Sequence, residues 1–173
     1  DLRDTTKFYS VEQFNNAANT SYGSVIRGSV GNDTLWAAAA GATGGNGDQL
    51  WGGVGNDSLI ASGFAAGGHD TLWYGKNEGS DRISGQGSDD IIRLYNVSQS
   101  QVSFALDGND LVVSISGSTD TLRVEGWNVG ANTKAKFVTA DNMVAFSPTL
   151  TSGDTLMGSA TAKTTYDLNN YTV

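Results

Sequence analysis

The sequence predicts an all-β fold built on a parallel solenoid, with a short N-terminal helical cap in front and a C-terminal antiparallel β cap behind. Three observations carry that expectation: a nine-residue Gly/Asp motif that recurs, a series of aspartates each followed two residues later by Leu or Ile, and a downstream stretch of alternating apolar and polar residues around an Asp-Gly pair. The boundaries that follow are 1–27 for the N-terminal cap, 28–95 for the repeat block, 96–147 for the β-rich cap, and 148–173 for the start of a further degenerate repeat or a tail.

The repeat block comes first in the argument. Gly52-Gly53-Val54-Gly55-Asn56-Asp57-Ser58-Leu59-Ile60 fits Gly-Gly-x-Gly-x-Asp-x-U-x, where U is a large apolar residue, at every defined position. Gly28 to Trp36 fits as well, with Ser29 in place of the second glycine. Aligned on the aspartate, the array extends to Asp33, Asp48, Asp57, Asp70, Asp81 and Asp89, followed by Leu35, Leu50, Leu59, Leu72, Ile83 and Ile91. The spacings are 15, 9, 13, 11 and 8 residues, and the extra residues fall in 37–42, 61–64 and 74–75, after a strand and before the next turn.

The residue types point to a hard cation. Calcium takes about six to eight oxygen ligands, which a loop supplies when its carbonyls turn inward and a carboxylate follows at a fixed offset. Glycine permits the positive-φ backbone this requires. The three residues after each aspartate read as a short strand with alternating side chains, position eight inward and positions seven and nine outward. Leu35, Leu59 and Ile83 are then expected to stack on one side, with Leu50, Leu72 and Ile91 on the other.

These motifs resemble the RTX (repeats-in-toxin) family of Gram-negative bacteria. The resemblance implies a right-handed parallel β-roll with calcium between consecutive loops on the same edge. Asp33, Asp57 and Asp81 would line one edge and Asp48, Asp70 and Asp89 the other, giving about four Ca²⁺ ions. In the family the earlier loop offers carbonyls from its second and fourth positions and the later loop from its first and third. Here those are Ser29 and Gly31, then Gly52 and Val54. The implied set also takes in Gly53 and Gly55 and, on the other edge, Gly44, Asn46, Gly67 and Gly68. The loop Lys76-Asn77-Glu78-Gly79-Ser80 departs from the glycine pattern. The resemblance further implies a calcium-induced folding module of a secreted or cell-surface protein, a toxin, an adhesin or an exported enzyme, handled by a type I secretion machinery. Such a chain stays unfolded in the low-calcium cytosol.

Outside the array, Ser10 and Gln13 form a capping-box pattern ahead of Val11, Phe14, Ala17 and Ala18 at helical spacing, so a short helix is expected to cover the open end of the roll. Residues 102–115 and 120–127 alternate as strands joined by an Asp-Gly turn and resemble the domain that follows RTX repeats. Ser147-Pro148 reads as a boundary, and residues 152–160 resemble the opening of another repeat.

Composition agrees. There are 173 residues, 23 glycines, one proline and no cysteine, so metal rather than disulfides is expected to brace the fold. The net charge of −8 with no basic stripe argues against nucleic acid. No apolar run is long enough for a transmembrane segment, and no signal peptide is visible; the chain begins at Asp1 without methionine, as a piece of a longer protein would. His-Glu-x-x-His, Gly-x-Ser-x-Gly and a cysteine nucleophile are all missing, so no enzyme is expected. His69 reads as a loop filler. Position nine sends Trp36, Trp51 and Trp73 outward beside Thr34, Ser58 and Thr71. That surface either meets a cell-surface glycan or receptor, or is covered by inserted loops or the segment after residue 95, and the sequence leaves both open.

Overall fold

The computed structural model describes residues 6–8, 23–37, 47–61, 69–129, 134–141 and 155–157. Its front half consists of short strands: β1 (Thr6–Phe8), β2 (Val25–Arg27), β3 (Thr34–Trp36), β4 (Gln49–Trp51), β5 (Ser58–Ile60), β6 (Thr71–Gly75), β7 (Asp81–Ser84) and β8 (Ile91–Tyr95). A 3-10 turn at Gln99–Gln101 leads into β9 (Val102–Asp107), β10 (Asp110–Ile115), β11 (Thr121–Val124), β12 (Lys136–Thr139) and β13 (Thr155–Met157). No α-helix occurs among the described residues. The helix expected over Ser10 to Ala18 lies outside them.

Successive strands from β2 to β8 alternate between two sheets. The first sheet runs β1-β2-β4-β6-β8-β12 and is parallel throughout. The second runs β13-β9-β10-β11-β7-β5-β3, parallel from β3 to β11 and antiparallel from β11 to β13. From β2 to β7 the chain passes to the other sheet after every strand, so the strand after next lands beside the first.

The core takes one aliphatic residue from each of β2 to β5 and from β7, while β6 adds Tyr74 to Leu72 and β8 adds Leu94 to Ile92. Leu35, Leu59 and Ile83 are aligned in the second sheet, and Ile26, Leu50, Leu72 and Ile92 in the first, all buried. Ile92 corrects the expected Ile91, which is only half-buried and pairs with Thr71. Asp89-Asp90 and Ile91-Ile92 are doublets, so two registers satisfy Asp-x-U equally. The partner strand chooses between them, because a one-residue shift would turn every side chain of β8 to the opposite face.

Both sheets run on into the C-terminal region. Val124 sits beside Ile83 in the second sheet and Phe137 beside Ile92 in the first. Phe137 meets Phe104 at 5.0 Å and Trp127 at 5.7 Å between ring centroids, joining the repeat core to the hairpin β9–β10. That hairpin turns on Gly108-Asn109, with Gly108 at φ +63° as the tight two-residue connection requires. Asp120-Thr121-Leu122 has the Asp-x-U spelling, yet β11 places Leu122 opposite Asp81 and so is two residues out of register with the repeats. β13 lies antiparallel on β9.

Candidate metal-binding edges

The turns between strands bring the aspartates into two rows. In the row beside the second sheet, the Asp33 N–H donates to Asp57 Oδ1 at 2.8 Å and the Asp57 N–H donates to Asp81 Oδ1 at 2.9 Å. In the other row the N–H groups of Ser24, Asp48 and Asp70 donate to Oδ1 of Asp48, Asp70 and Asp90 at 2.8, 2.8 and 2.9 Å. One oxygen of each of these carboxylates thus carries the backbone of the preceding turn, a structural use the motif does not advertise. Asp33, Asp48, Asp57, Asp70, Asp81 and Asp90 are all about 98% buried, each at 2% relative exposure.

Asp89 is corrected by the same geometry. It is exposed, and the place expected for it belongs to Asp90, whose Oδ2 accepts the Gly87 N–H at 2.6 Å. Asp90→Ala is therefore expected to destabilise the protein by about 1–3 kcal/mol by orphaning the Asp70 N–H. Asp89→Ala should stay within about 0.5 kcal/mol, as surface changes do. Paired denaturant melts check the contrast.

The best-matched pair of loops, 28–33 and 52–57, gathers oxygen atoms. Asp33 Oδ2 accepts the Ser29 N–H and hydroxyl, whereas Asp33 Oδ1 and Asp57 Oδ2 are buried with no hydrogen-bond partner. A Cβ on Gly53 or Gly55 would run into the carbonyl oxygen of Ser29 or Gly31, so those carbonyls face the following loop. The Gly52 carbonyl faces back on Gly28. Gly53 and Gly55 hold φ of +96° and +150°, which only glycine tolerates easily. Any side chain at Gly52 would overlap the Asp57 carboxylate, which explains why the first motif position is glycine. Val54 turns its side chain to solvent. Ser29 and Gly31 are exposed, and Gly52 is buried.

The next gap on this row is built differently. The Glu78 carbonyl accepts the Gly55 N–H at 2.7 Å, and the Glu78 side chain turns inward to the Trp51 indole N–H at 3.0 Å and the Gly75 N–H at 2.7 Å. The departure from the glycine pattern at 76–80 therefore has a counterpart: a buried carboxylate that ties this loop to the first sheet. On the other row, Gly44, Asn46, Gly67 and Gly68 lie outside the described residues. His69 is exposed, its carbonyl against Gly47.

The charges are costly in this setting. Burial, reinforced by Asp57, Glu78 and Asp120, pushes the Asp81 carboxyl up to about 8. Burial also raises Asp90 to about 6, with Asp70 and Asp89 adding repulsion. Asp57 and Glu78 are raised for the same first reason. Among the described residues no three His, Cys, Asp or Glu side chains form a metal-holding group. The oxygens that converge between loops 28–33 and 52–57 are backbone carbonyls with single carboxylates. The donor set nevertheless suits calcium: it is all oxygen, and two buried carboxylate oxygens lack a partner.

Residues that the motif left undefined also contribute. Asn32 Oδ1 accepts the Asn56 N–H and Asn56 Oδ1 accepts the Ser80 N–H, both at 2.8 Å. The signal was in the sequence as asparagine at position five, repeated 24 residues apart. The outward tryptophans separate. Trp51 and Trp73 are neighbours on the first sheet, while Trp36 stands on the second beside Ile60.

No described helix is long and apolar enough to cross a membrane. Comparison of the chain with protein-family models and with curated proteins gives no match.

Proposed function

We propose that this chain is a calcium-binding, calcium-stabilised β-roll, right-handed like the RTX repeats it resembles, and a structural module of an exported bacterial protein rather than an enzyme. The single observation that carries the reading is the 28–33/52–57 pair of loops. Carbonyls of Ser29, Gly31 and Gly52 face into the gap between them, beside the buried, unpartnered Asp57 Oδ2 and Asp33 Oδ1. Bound calcium would supply the positive charge that buried carboxylates in both rows lack. The residues do the rest: Asp33 and Asp57 lock consecutive turns, Gly53 and Gly55 hold the loop open at positive φ, and Gly52 makes room for the Asp57 carboxylate.

Folding then depends on the calcium concentration, which suits a chain that stays unfolded in the cytosol, leaves through a type I secretion channel and folds outside. Isothermal titration of the chelator-stripped chain tests the binding. About four calcium ions are expected to bind, with magnesium far weaker because it dehydrates reluctantly. Equal heats from the two ions, or no saturable calcium uptake, would refute the reading.

A further inference from the structure

The outer face of the first sheet carries a second candidate site, away from the turn loops. At position nine of successive strands stand Arg27, Trp51, Trp73 and Arg93, each beside the next. The Arg27 guanidinium lies 4.4 Å from the Trp51 ring centroid and that of Arg93 5.2 Å from Trp73. Trp51 is held rigidly. Its indole N–H donates to Glu78, and Tyr95 meets it at 5.0 Å and 67° between planes. Tyr95 can lie there only because residue 75 is glycine, where a Cβ would fall 2.6 Å from the tyrosine ring. Next to this fixed wall is a cavity of about 60 Å³ lined by Val25, Arg27, Gln49, Trp51 and Trp73.

Arg27 is the unexplained member. Its Nε is withdrawn from water with no hydrogen-bond partner, and none of the ion pairs among the described residues involves it. A buried guanidinium nitrogen without an acceptor is costly, and the positive charge that Arg27 sets beside the cavity calls for an acidic partner. A planar carboxylate is the acceptor that matches its fork. The exposed Gln49 adds an amide that can both donate to and accept from hydroxyls, and Trp73 offers apolar ring surface. A cavity this small admits the carboxylate-bearing edge of one ring rather than a large ligand. We infer that this face binds an acidic sugar, its carboxylate on Arg27 and its ring against Gln49 and Trp73. The inference rests on the sheet face and not on the calcium loops, so the two readings can fail separately.

The test uses the whole chain in saturating calcium, following tryptophan fluorescence and titration heat with three probes: a hyaluronan tetrasaccharide, the neutral tetra-N-acetylchitotetraose, and hexaglutamate. The acidic tetrasaccharide is expected to bind saturably and at least about tenfold tighter than the other two. Arg27→Gln should remove at least about tenfold of that affinity while leaving the midpoint of the calcium titration in place. Should Arg27→Gln fail to fold, Gln49→Ala on the exposed strand position must weaken the sugar by at least about threefold. Equal binding of the neutral sugar, equal binding of hexaglutamate, no saturable binding, or wild-type affinity in these variants would each overturn the proposal.

Discussion

Stripped of calcium at pH 8, the chain is expected to lose most of its β-sheet circular dichroism. The repeat block buries one aliphatic residue per three-residue strand, too little to offset the conformational entropy of its long turns. Each cation site held at a hundredfold excess over its Kd adds about 2.7 kcal/mol. Under the proposed reading about four sites would add about 11 kcal/mol, as large as the whole stability of an ordinary domain at ~5–15 kcal/mol. Acid should partly replace the metal. The folded-state pKa of Asp81 is raised to about 8 and that of Asp90 to about 6, against an ordinary value of 3.8. A raised folded pKa means that the fold binds the proton more tightly than the unfolded chain does. The stability so gained is full below about 4 and is lost as pH climbs through 6 and 8. In chelator the dichroism should therefore recover on going from pH 8 to pH 5. An unchanged β signal in chelator at pH 8 contradicts the whole scheme, and a signal that falls further on acidification contradicts the electrostatic part.

Asp57→Ala should be the most damaging single substitution in the turns. Asp57 is the middle member of its row: Oδ1 receives the Asp33 N–H, its own N–H donates to Asp81, and Oδ2 is free for a ligand. Removing the side chain orphans a buried donor, at about 1–3 kcal/mol. Under the calcium reading it also takes a ligand from the gaps on both sides, so calcium affinity should fall by at least about tenfold and the titration should flatten. The exposed Asp89 supplies the comparison. If Asp57→Ala titrates like Asp89→Ala, the assignment of the row is wrong.

Much of this arrangement was readable from residue spacing. The pairing of Leu35 with Leu59 and of Leu50 with Leu72 follows from the Asp-x-U spacing, and the division of the aspartates into two rows is what the resemblance to RTX repeats implied. What spacing could not resolve was register where the spelling is degenerate. Asp89-Asp90 and Ile91-Ile92 each offer two candidates, and Asp120-Thr121-Leu122 imitates a repeat that strand pairing moves by two residues. Nor does a motif state that Oδ1 of an aspartate will hold the backbone of the previous turn, or that Glu78 will reach Trp51, because both depend on which turns become neighbours. The three tryptophans show the limit from the other side. Identical motif positions do not share a face when alternate strands belong to different sheets.

Leu122 faces Asp81, and the strand β12 brings Ala135 up to Asp90. Where the aspartate rows would continue into the C-terminal strands, then, the strand position paired with each is apolar, and the Asp120 carboxylate stands off in the turn that holds Gly79. The last repeat strands of the first sheet are also longer: β6 and β8 share five paired residues, against three for β2 with β4 and for β3 with β5. The stack is consequently asymmetric as a mechanical object. On the β-roll reading, its hydrophobic end would be an anchor and a template on which turns are laid down one at a time, as in quasi-one-dimensional arrays. Its other end is expected to fray first. A tether pulling from the N-terminal side would peel the strands off in order, and slack would let them wind back from the anchored end.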